Sequence, residues 1–138
     1  MNAISPKKRR SARERAVQFL FGLDFTKYDW RSAIETFWLS SPVNASVKDY
    51  AELLIDGVAG HLEELDGAID GSLDRWTPDR IGRVERNILR VALFEMRYLD
   101  DVPTPVAINE AIEVAKRFGA EDAPRFINGV LDRLKKGN

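Results

Sequence analysis

Residues 77–99, TPDRIGRVERNILRVALFEMRYL, are the stretch that decides the fold. Thr77 followed by Pro78 is a typical helix start, because threonine caps the first amides and proline suits the first helical position. The apolar positions that follow are Ile81, Val84, Ile88, Leu89, Val91, Ala92, Leu93, Phe94, Met96 and Leu99. They occupy most of a helical circumference, which is typical of a helix packed on several sides. We therefore predict a central helix from Thr77 to about Leu99.

Helical spacing recurs on both sides of this stretch, and no alternation typical of a β-strand persists. Upstream, residues 11–14 (SARE) form a capping box, which predicts a helix that begins at Ser11. Downstream, Thr104-Pro105 predicts the start of another helix and Gly119 its end. Asp122 predicts the cap of a last helix. Together with apolar segments at 30–39, 47–58 and 62–73, these signals predict an all-α protein of about seven helices.

Length and composition exclude several classes of protein. A chain of 138 residues favours one domain, here residues 1–138. It has no cysteine, which excludes disulfides and thiolate sites, and its one histidine, His61, excludes a multi-histidine metal site. No apolar run approaches the ~20 residues that span a bilayer, and no signal peptide is visible. We predict a soluble cytoplasmic protein without a metal or cofactor.

The net charge of -1 conceals an uneven distribution. Residues 1–15 hold six basic side chains and one acidic one, whereas the rest holds fifteen basic and twenty-one acidic ones. A basic segment on a mildly acidic body indicates contact with a polyanion. We therefore predict that residues 1–10 are a flexible basic arm that binds nucleic acid. The alternative is a solvated terminus that binds nothing.

Specific recognition of single-stranded RNA needs more than this arm. Phosphate contacts give salt-sensitive binding without sequence preference, whereas stacking contributes about 1–3 kcal/mol per base. Phe118 and Asp122 flank the predicted helix break at Gly119, and Phe126 lies one turn into the next helix, so the two phenylalanines could stack on bases. Asp122 could accept hydrogen bonds from base amino groups. The alternative, which their apolar-arc positions favour, is that both phenylalanines belong to the core.

Two further features indicate a protein partner rather than catalysis. On the first helix, Val17 and Phe21 are predicted to lie on the outer arc in line with Arg10, which favours a protein contact. On the central helix, Glu85 and Glu95 fall on the apolar arc, and a buried glutamate can act as a general acid or base. No second catalytic group or phosphate-binding loop accompanies them. We therefore predict pairing with an arginine or a partner contact, and no enzyme activity.

Four blocks of the sequence, in this order, resemble the NusB family of transcription antitermination factors. They are residues 9–18 (RRSARERAVQ), 83–92 (RVERNILRVA), 106–122 (VAINEAIEVAKRFGAED) and 126–132 (FINGVLD). The resemblance implies two three-helix bundles packed across each other. It also implies binding of boxA RNA from ribosomal RNA leader transcripts together with NusE, a ribosomal protein, within the RNA polymerase antitermination complex.

The resemblance also implies particular contacts. With the basic arm, it assigns the RNA surface to Lys8, Arg9, Arg10, Arg13, Arg90, Phe118, Asp122 and Phe126. It assigns the NusE surface to Val17, Phe21 and Glu85. Family members often have a third basic residue where Ser11 stands and a tyrosine where Phe21 stands. The first departure weakens the arm unless Lys7 and Lys8 compensate, and the second removes a hydroxyl that could bond a partner.

Two other functions remain open at this level. The chain could be the RNA-recognition part of a ribosomal RNA methyltransferase, which needs a cofactor-binding domain that residues 1–138 do not contain. It could instead be a helical adaptor with a basic tail, for which replacing Arg9 and Arg10 would not change RNA affinity. Some family members dimerise when free, so both a monomer and a homodimer remain possible.

Overall fold

The computed structural model describes residues 4–23, 29–73 and 81–136, and within these ranges the chain forms seven α-helices and no strand. The helices are α1 (Pro6–Gly22), α2 (Trp30–Ser40), α3 (Ala45–Gly60), α4 (Leu62–Gly71), α5 (Arg83–Tyr98), α6 (Thr104–Phe118) and α7 (Ala123–Lys136). The predicted all-α class and the number of helices are confirmed.

The central helix is α5, which packs against α1, α3, α4, α6 and α7. It buries Ile88, Leu89 and Leu93 almost completely, as its apolar circumference predicted. Helices α1 to α3 form one group, in which Trp38 of α2 donates a 2.7 Å hydrogen bond to Glu52 of α3. Helices α5 to α7 form the second group, and α4 packs against α3, α5 and α7. The two groups correspond to the two predicted bundles, which meet where α1 and α3 pack against α5.

Two helices begin at residues other than those predicted. Helix α1 begins at Pro6, where the Ser5 hydroxyl accepts a 3.2 Å hydrogen bond from the Lys8 amide. Residues 11–14 therefore lie inside the helix and are not its cap, and the predicted arm is helical from Pro6 onward. Helix α5 begins at Arg83 after a non-helical Gly82. The predicted start at Thr77-Pro78 lies outside the described residues.

The turn between α6 and α7 is closely packed at Gly119. Helix α6 ends there as predicted, but Gly119 has a φ of -88°, so it does not use the left-handed conformation typical of a terminal glycine. A Cβ at this position would lie 2.7 Å from the Ala123 Cβ, 2.9 Å from the Ala115 carbonyl oxygen and 3.0 Å from Glu85 Oε2. Glycine is required here because three helices approach the same point.

None of the helices within the described ranges combines the length and apolar character needed to cross a membrane. In the same residues, no group of three or more histidine, aspartate or glutamate side chains could hold a metal ion. His61 packs its ring 4.2 Å from that of Tyr98, and its Nδ1 lies 2.9 Å from the Gly57 carbonyl oxygen. These contacts give the histidine a structural role where α3 meets α4.

Candidate nucleic-acid interface

The first turn of α1 carries four consecutive cations, Lys7 to Arg10. A helix N-terminus already bears about half a positive charge, so cations there repel it whereas acids would stabilise it. The turn contains no acid, and Lys7, Lys8 and Arg10 are exposed. The sequence thus concentrates positive charge at a helix end that attracts anions.

Arg9 is paired with an acid on the loop before α6. Its Nη2 donates to Asp101 Oδ2 at 2.7 Å, and its guanidinium lies 4.9 Å from the centre of the Tyr50 ring. This hydrogen bond raises the pKa of Arg9 and lowers the pKa of Asp101. Because Asp101 is the more exposed partner, it lies on the solvent side of the pair.

Arg10 is paired with Glu110 of α6, and in this pair the arginine is the more exposed partner. Its Nε and Nη2 donate to the two carboxylate oxygens at 2.9 Å and 2.7 Å. These bonds lower the pKa of Glu110 and raise that of Arg10. Farther along, Arg117 of α6 donates to Glu14 of α1 at 2.9 Å. We call this line of paired charges the α1–α6 edge: Arg9, Arg10, Glu14, Asp101, Glu110 and Arg117.

Arg13 lies beneath this edge and not on it. Its side chain is 4% exposed, and its Nε lies 2.9 Å from each oxygen of Glu95, which is 1% exposed. The Tyr50 hydroxyl donates to the same carboxylate at 2.5 Å, and burial followed by the Glu95 charge raises the pKa of Tyr50. The free protein therefore buries Arg13 and does not present it for the predicted RNA contact. The predicted pairing of Glu95 with an arginine is confirmed.

Arg90 also differs from its expected setting. Its Nε and Nη2 each donate to Asp66 of α4 at 2.7 Å, and its Nη1 donates to Asn87 at 2.9 Å. Its side chain is 12% exposed. The Arg90 guanidinium thus contacts α4, whereas those of Arg9 and Arg10 contact α6 and the loop before it. The structure does not bring Arg90 to the α1–α6 edge.

Three of the predicted contact residues line one cleft at the turn between α6 and α7. The cleft has a volume of about 270 Å³ and contains Glu85, Asp122 and Phe126. Glu85 Oε2 accepts a 3.0 Å hydrogen bond from the Ala120 amide, so a carboxylate of α5 fixes the backbone of this turn. Asp122 is exposed and Phe126 half-buried. The cleft therefore combines an aromatic wall with a carboxylate acceptor, a combination that suits an unstacked base. We call it the turn cleft.

Phe118 lies between the α1–α6 edge and this turn. It is the last residue of α6, is half-buried, and packs against the core. The Arg117 guanidinium lies 5.2 Å from the centre of its ring. Like Phe126, Phe118 therefore contributes to the core and still exposes part of its ring.

The predicted partner surface is only partly exposed. Phe21 is 42% exposed, and the Arg83 guanidinium lies 5.3 Å from the centre of its ring. Val17, in contrast, is 2% exposed, so its predicted exposure is wrong. Helices α5 and α6 cover the α1 face on which Val17 lies, and it lines a small internal space with Ile88 and Val114. Phe21 and Glu85 remain available for a partner contact.

Sequence reasoning missed the residues that hold the arginines. Asp101, Glu110 and Tyr50 were not singled out, although each contacts a residue that was. The Arg9–Asp101 and Arg10–Glu110 pairs join residues 92 and 100 positions apart, so no local spacing indicates them. Only the excess of acids outside the first fifteen residues pointed to such pairs.

Comparisons of the sequence with known proteins give consistent results. A model described as the NusB family matches residues 10–136. The transcription antitermination protein NusB of Anaeromyxobacter dehalogenans (strain 2CP-1 / ATCC BAA-258) is 44% identical over 131 residues, which cover 94% of this chain and 92% of that protein. That of Bacillus velezensis (strain DSM 23117 / BGSC 10A6 / LMG 26770 / FZB42) is 46% identical over 128 residues, covering 93% and 95%.

Solved structures agree with this match. T. maritima NusB superimposes with a TM-score of 0.83 at 35% identity, covering 97% of this chain and 93% of the other. The chain matched in a crystal structure of antitermination factors NusB and NusE in complex with dsRNA gives a TM-score of 0.86 at 27% identity. That match covers 97% of this chain and 100% of the other.

Proposed function

The chain belongs to the NusB family, and on this basis we propose that it is an RNA-binding transcription antitermination protein that acts by binding and not by catalysis. Its RNA is a boxA-type segment of ribosomal RNA leader transcripts, and its protein partner is NusE. With them it joins the RNA polymerase antitermination complex in the cytoplasm. Residues 1–138 act as a single domain in this role.

The observation that carries the proposal is the first turn of α1. Four cations at the positive end of a helix are unfavourable in isolation by some tenths of a kcal/mol each, since they oppose the helix dipole. A phosphate of an RNA backbone attracts both the cations and the helix end, and so offsets this repulsion. Arg10 is 46% exposed, so part of its guanidinium is available to a phosphate while Glu110 holds it. The arrangement is expected of a phosphate-binding surface.

Sequence preference is supported by the turn cleft. Phosphate contacts position an RNA strand without reading its sequence, so a specific protein also needs contacts to bases. In this chain, Phe126 offers part of an aromatic face and Asp122 an acceptor for a base amino group. Phe118 adds a second partly exposed ring between this cleft and the cations.

The NusE contact is supported by the other end of α1. Phe21 is the one large apolar side chain of α1 that is substantially exposed. Aromatic residues in such positions are common anchors of protein interfaces. Arg83 connects Phe21 to the start of α5, two residues before Glu85, because it donates to the Phe21 carbonyl oxygen at 3.3 Å. The partner surface is thus expected to adjoin the turn cleft.

The proposal is tested by titrating a short fluorescent boxA-type RNA and a scrambled control at two salt concentrations, with and without NusE. We expect selective binding that NusE tightens. Four phosphate contacts would give a log–log salt slope of about -3 for a single strand. Arg10→Ala should weaken binding of both RNAs, whereas Arg31→Ala, which removes an exposed cation of α2 paired with Asp56, should not. Equal affinity for both RNAs in every condition would overturn the proposal.

A further inference from the structure

Two of the three arginine–carboxylate pairs of the α1–α6 edge, those of Arg9 and Arg10, have opposite orientations. In the first pair the arginine lies beneath, because the Arg9 side chain is 21% exposed and the Asp101 side chain 66%. In the second pair the arginine lies outside, with 46% exposure for Arg10 and 16% for Glu110. An RNA phosphate that approaches this edge therefore meets a carboxylate at the first pair and a guanidinium at the second.

We propose that Asp101 bonds Arg9 in the free protein and competes with RNA phosphate for it. Glu110, in contrast, lies beneath Arg10 and holds it in position to bind a phosphate. This inference rests on the proposed RNA-binding function and assigns two further residues to it. Arg10 has five N–H donors, and Glu110 engages only its Nε and Nη2. The Nη1 edge remains for a phosphate oxygen.

Arg9 stays in place when Asp101 leaves it. Its guanidinium also lies over the Tyr50 ring, and the Tyr50 hydroxyl is fixed by its 2.5 Å bond to Glu95. A cation over an aromatic face is held by attraction to the ring. Removing the Asp101 carboxylate therefore frees the hydrogen-bonding edge of Arg9 without releasing the side chain.

A phosphate can reach this pair without moving a helix. A groove of about 240 Å³ lies between the first turn of α1 and the start of α6. Pro6, Val102 and Val106 supply apolar walls, and Arg9 and Asp101 line the same groove. Displacing Asp101 requires only that an exposed side chain on a loop turn aside. In the free protein, Asp101 thus covers a cation that RNA must uncover.

The test compares two neighbouring carboxylates whose removal changes the net charge equally. Asp101→Asn should tighten binding of a boxA-type RNA by about two- to five-fold, the amount expected from an exposed ion pair that no longer has to be broken. Asp101→Ala should do the same. Asp100→Asn removes the adjacent exposed charge, which does not bond Arg9. Its gain in RNA affinity should be clearly smaller than that of Asp101→Asn. Thermal unfolding of each variant establishes that it folds.

Glu110→Gln tests the second half of the proposal, the positioning of Arg10 by Glu110. It also removes one negative charge, but it loosens Arg10, so its gain in affinity should be smaller than that of Asp101→Asn or absent. Equal effects of Asp101→Asn, Asp100→Asn and Glu110→Gln would mean that only net charge matters, and would overturn the inference. So would unchanged or weaker binding by Asp101→Asn. If the wild-type chain bound no RNA, the proposed function would fail together with this inference.

Discussion

Arg13 and Glu95 form an ion pair inside the core, with 2.9 Å between guanidinium nitrogen and carboxylate oxygen. Both side chains are at least 95% buried, and the Tyr50 hydroxyl completes the set of donors to the carboxylate. The pair joins α1 to α5 across the contact between the two helical groups. It also lies directly beneath Arg9 and Arg10, so the positions of the exposed cations depend on it.

Removing one partner of this pair should destabilise the protein severely. Glu95→Ala leaves the buried Arg13 charge with only its longer 3.4 Å contact to Glu110, and we expect a loss of about 3–5 kcal/mol of unfolding free energy. Urea denaturation followed by circular dichroism measures it, with Glu121→Ala, an exposed acid, as the control. The double variant Arg13→Met/Glu95→Leu should lose much less than the sum of the single effects. Additive losses would contradict a direct coupling.

Two helical glycines should respond to alanine with opposite signs. A Cβ at Gly57 of α3 would collide with the ring of Phe94 on α5, so Gly57→Ala should cost about 1–3 kcal/mol through overpacking. Gly67 of α4 has nothing within 4 Å of that position, so Gly67→Ala should stabilise by up to about 1 kcal/mol. Thermal melts of the two variants provide matched controls for each other, and destabilisation by both would contradict the described packing of α4.

The Arg10–Glu110 pair should contribute to the acid sensitivity of the fold. Its hydrogen bonds lower the pKa of Glu110 in the folded state, so its stabilising effect is complete above the unfolded pKa and is lost as the pH falls through the folded one. The unfolding free energy of the wild type should therefore decrease more steeply than that of Glu110→Gln from about pH 5 to pH 3. Denaturant titrations at several pH values measure this, with Glu121→Gln as the control. Parallel pH profiles would count against it.

Phe21 should affect partner binding without affecting the fold. It is 42% exposed, so Phe21→Ala should change the unfolding free energy by less than about 1 kcal/mol. If it anchors NusE, the same substitution should weaken NusE binding by about 1–2 kcal/mol, or five- to thirty-fold, while RNA binding by the chain alone is preserved. Leu39→Ala removes an 84% exposed leucine of α2 and is the control. Unchanged affinity of Phe21→Ala for NusE would remove Phe21 from the partner surface.

Helix ends with one local signal were predictable from the sequence. The Thr104-Pro105 pair, Gly119 and Asp122 mark the ends of α6 and the start of α7 to within a residue. The start of α1 was not predictable in this way, because two capping signals compete. Ser5 precedes a proline and Ser11 precedes a well-placed glutamate. The earlier signal is used, and ion pairs of Arg9 and Arg10 with distant residues support the extra turn.

The same limit applies to the candidate site. The sequence placed Phe21 on the outer arc of α1 and Asp122 at a helix end, and both are exposed. Periodicity favoured the core for Phe126, which is half-buried. Val17 and Arg13 were expected on the surface but are buried. The error arises because α5 and α6, which follow more than 60 residues later, determine which face of α1 is covered. Which arc of α1 is covered is a property of the packed molecule.

The helical start of α1 at Pro6 also bears on how quickly and at what entropic cost RNA can be captured. Ordering a residue's backbone costs about 1–2 kcal/mol, and for residues 6–10 that ordering is complete once the protein folds. A disordered arm would lose this conformational entropy at each binding event. In this chain the backbone that carries the cations is already ordered, so association requires no folding of residues 6–10 and is accelerated by electrostatic attraction.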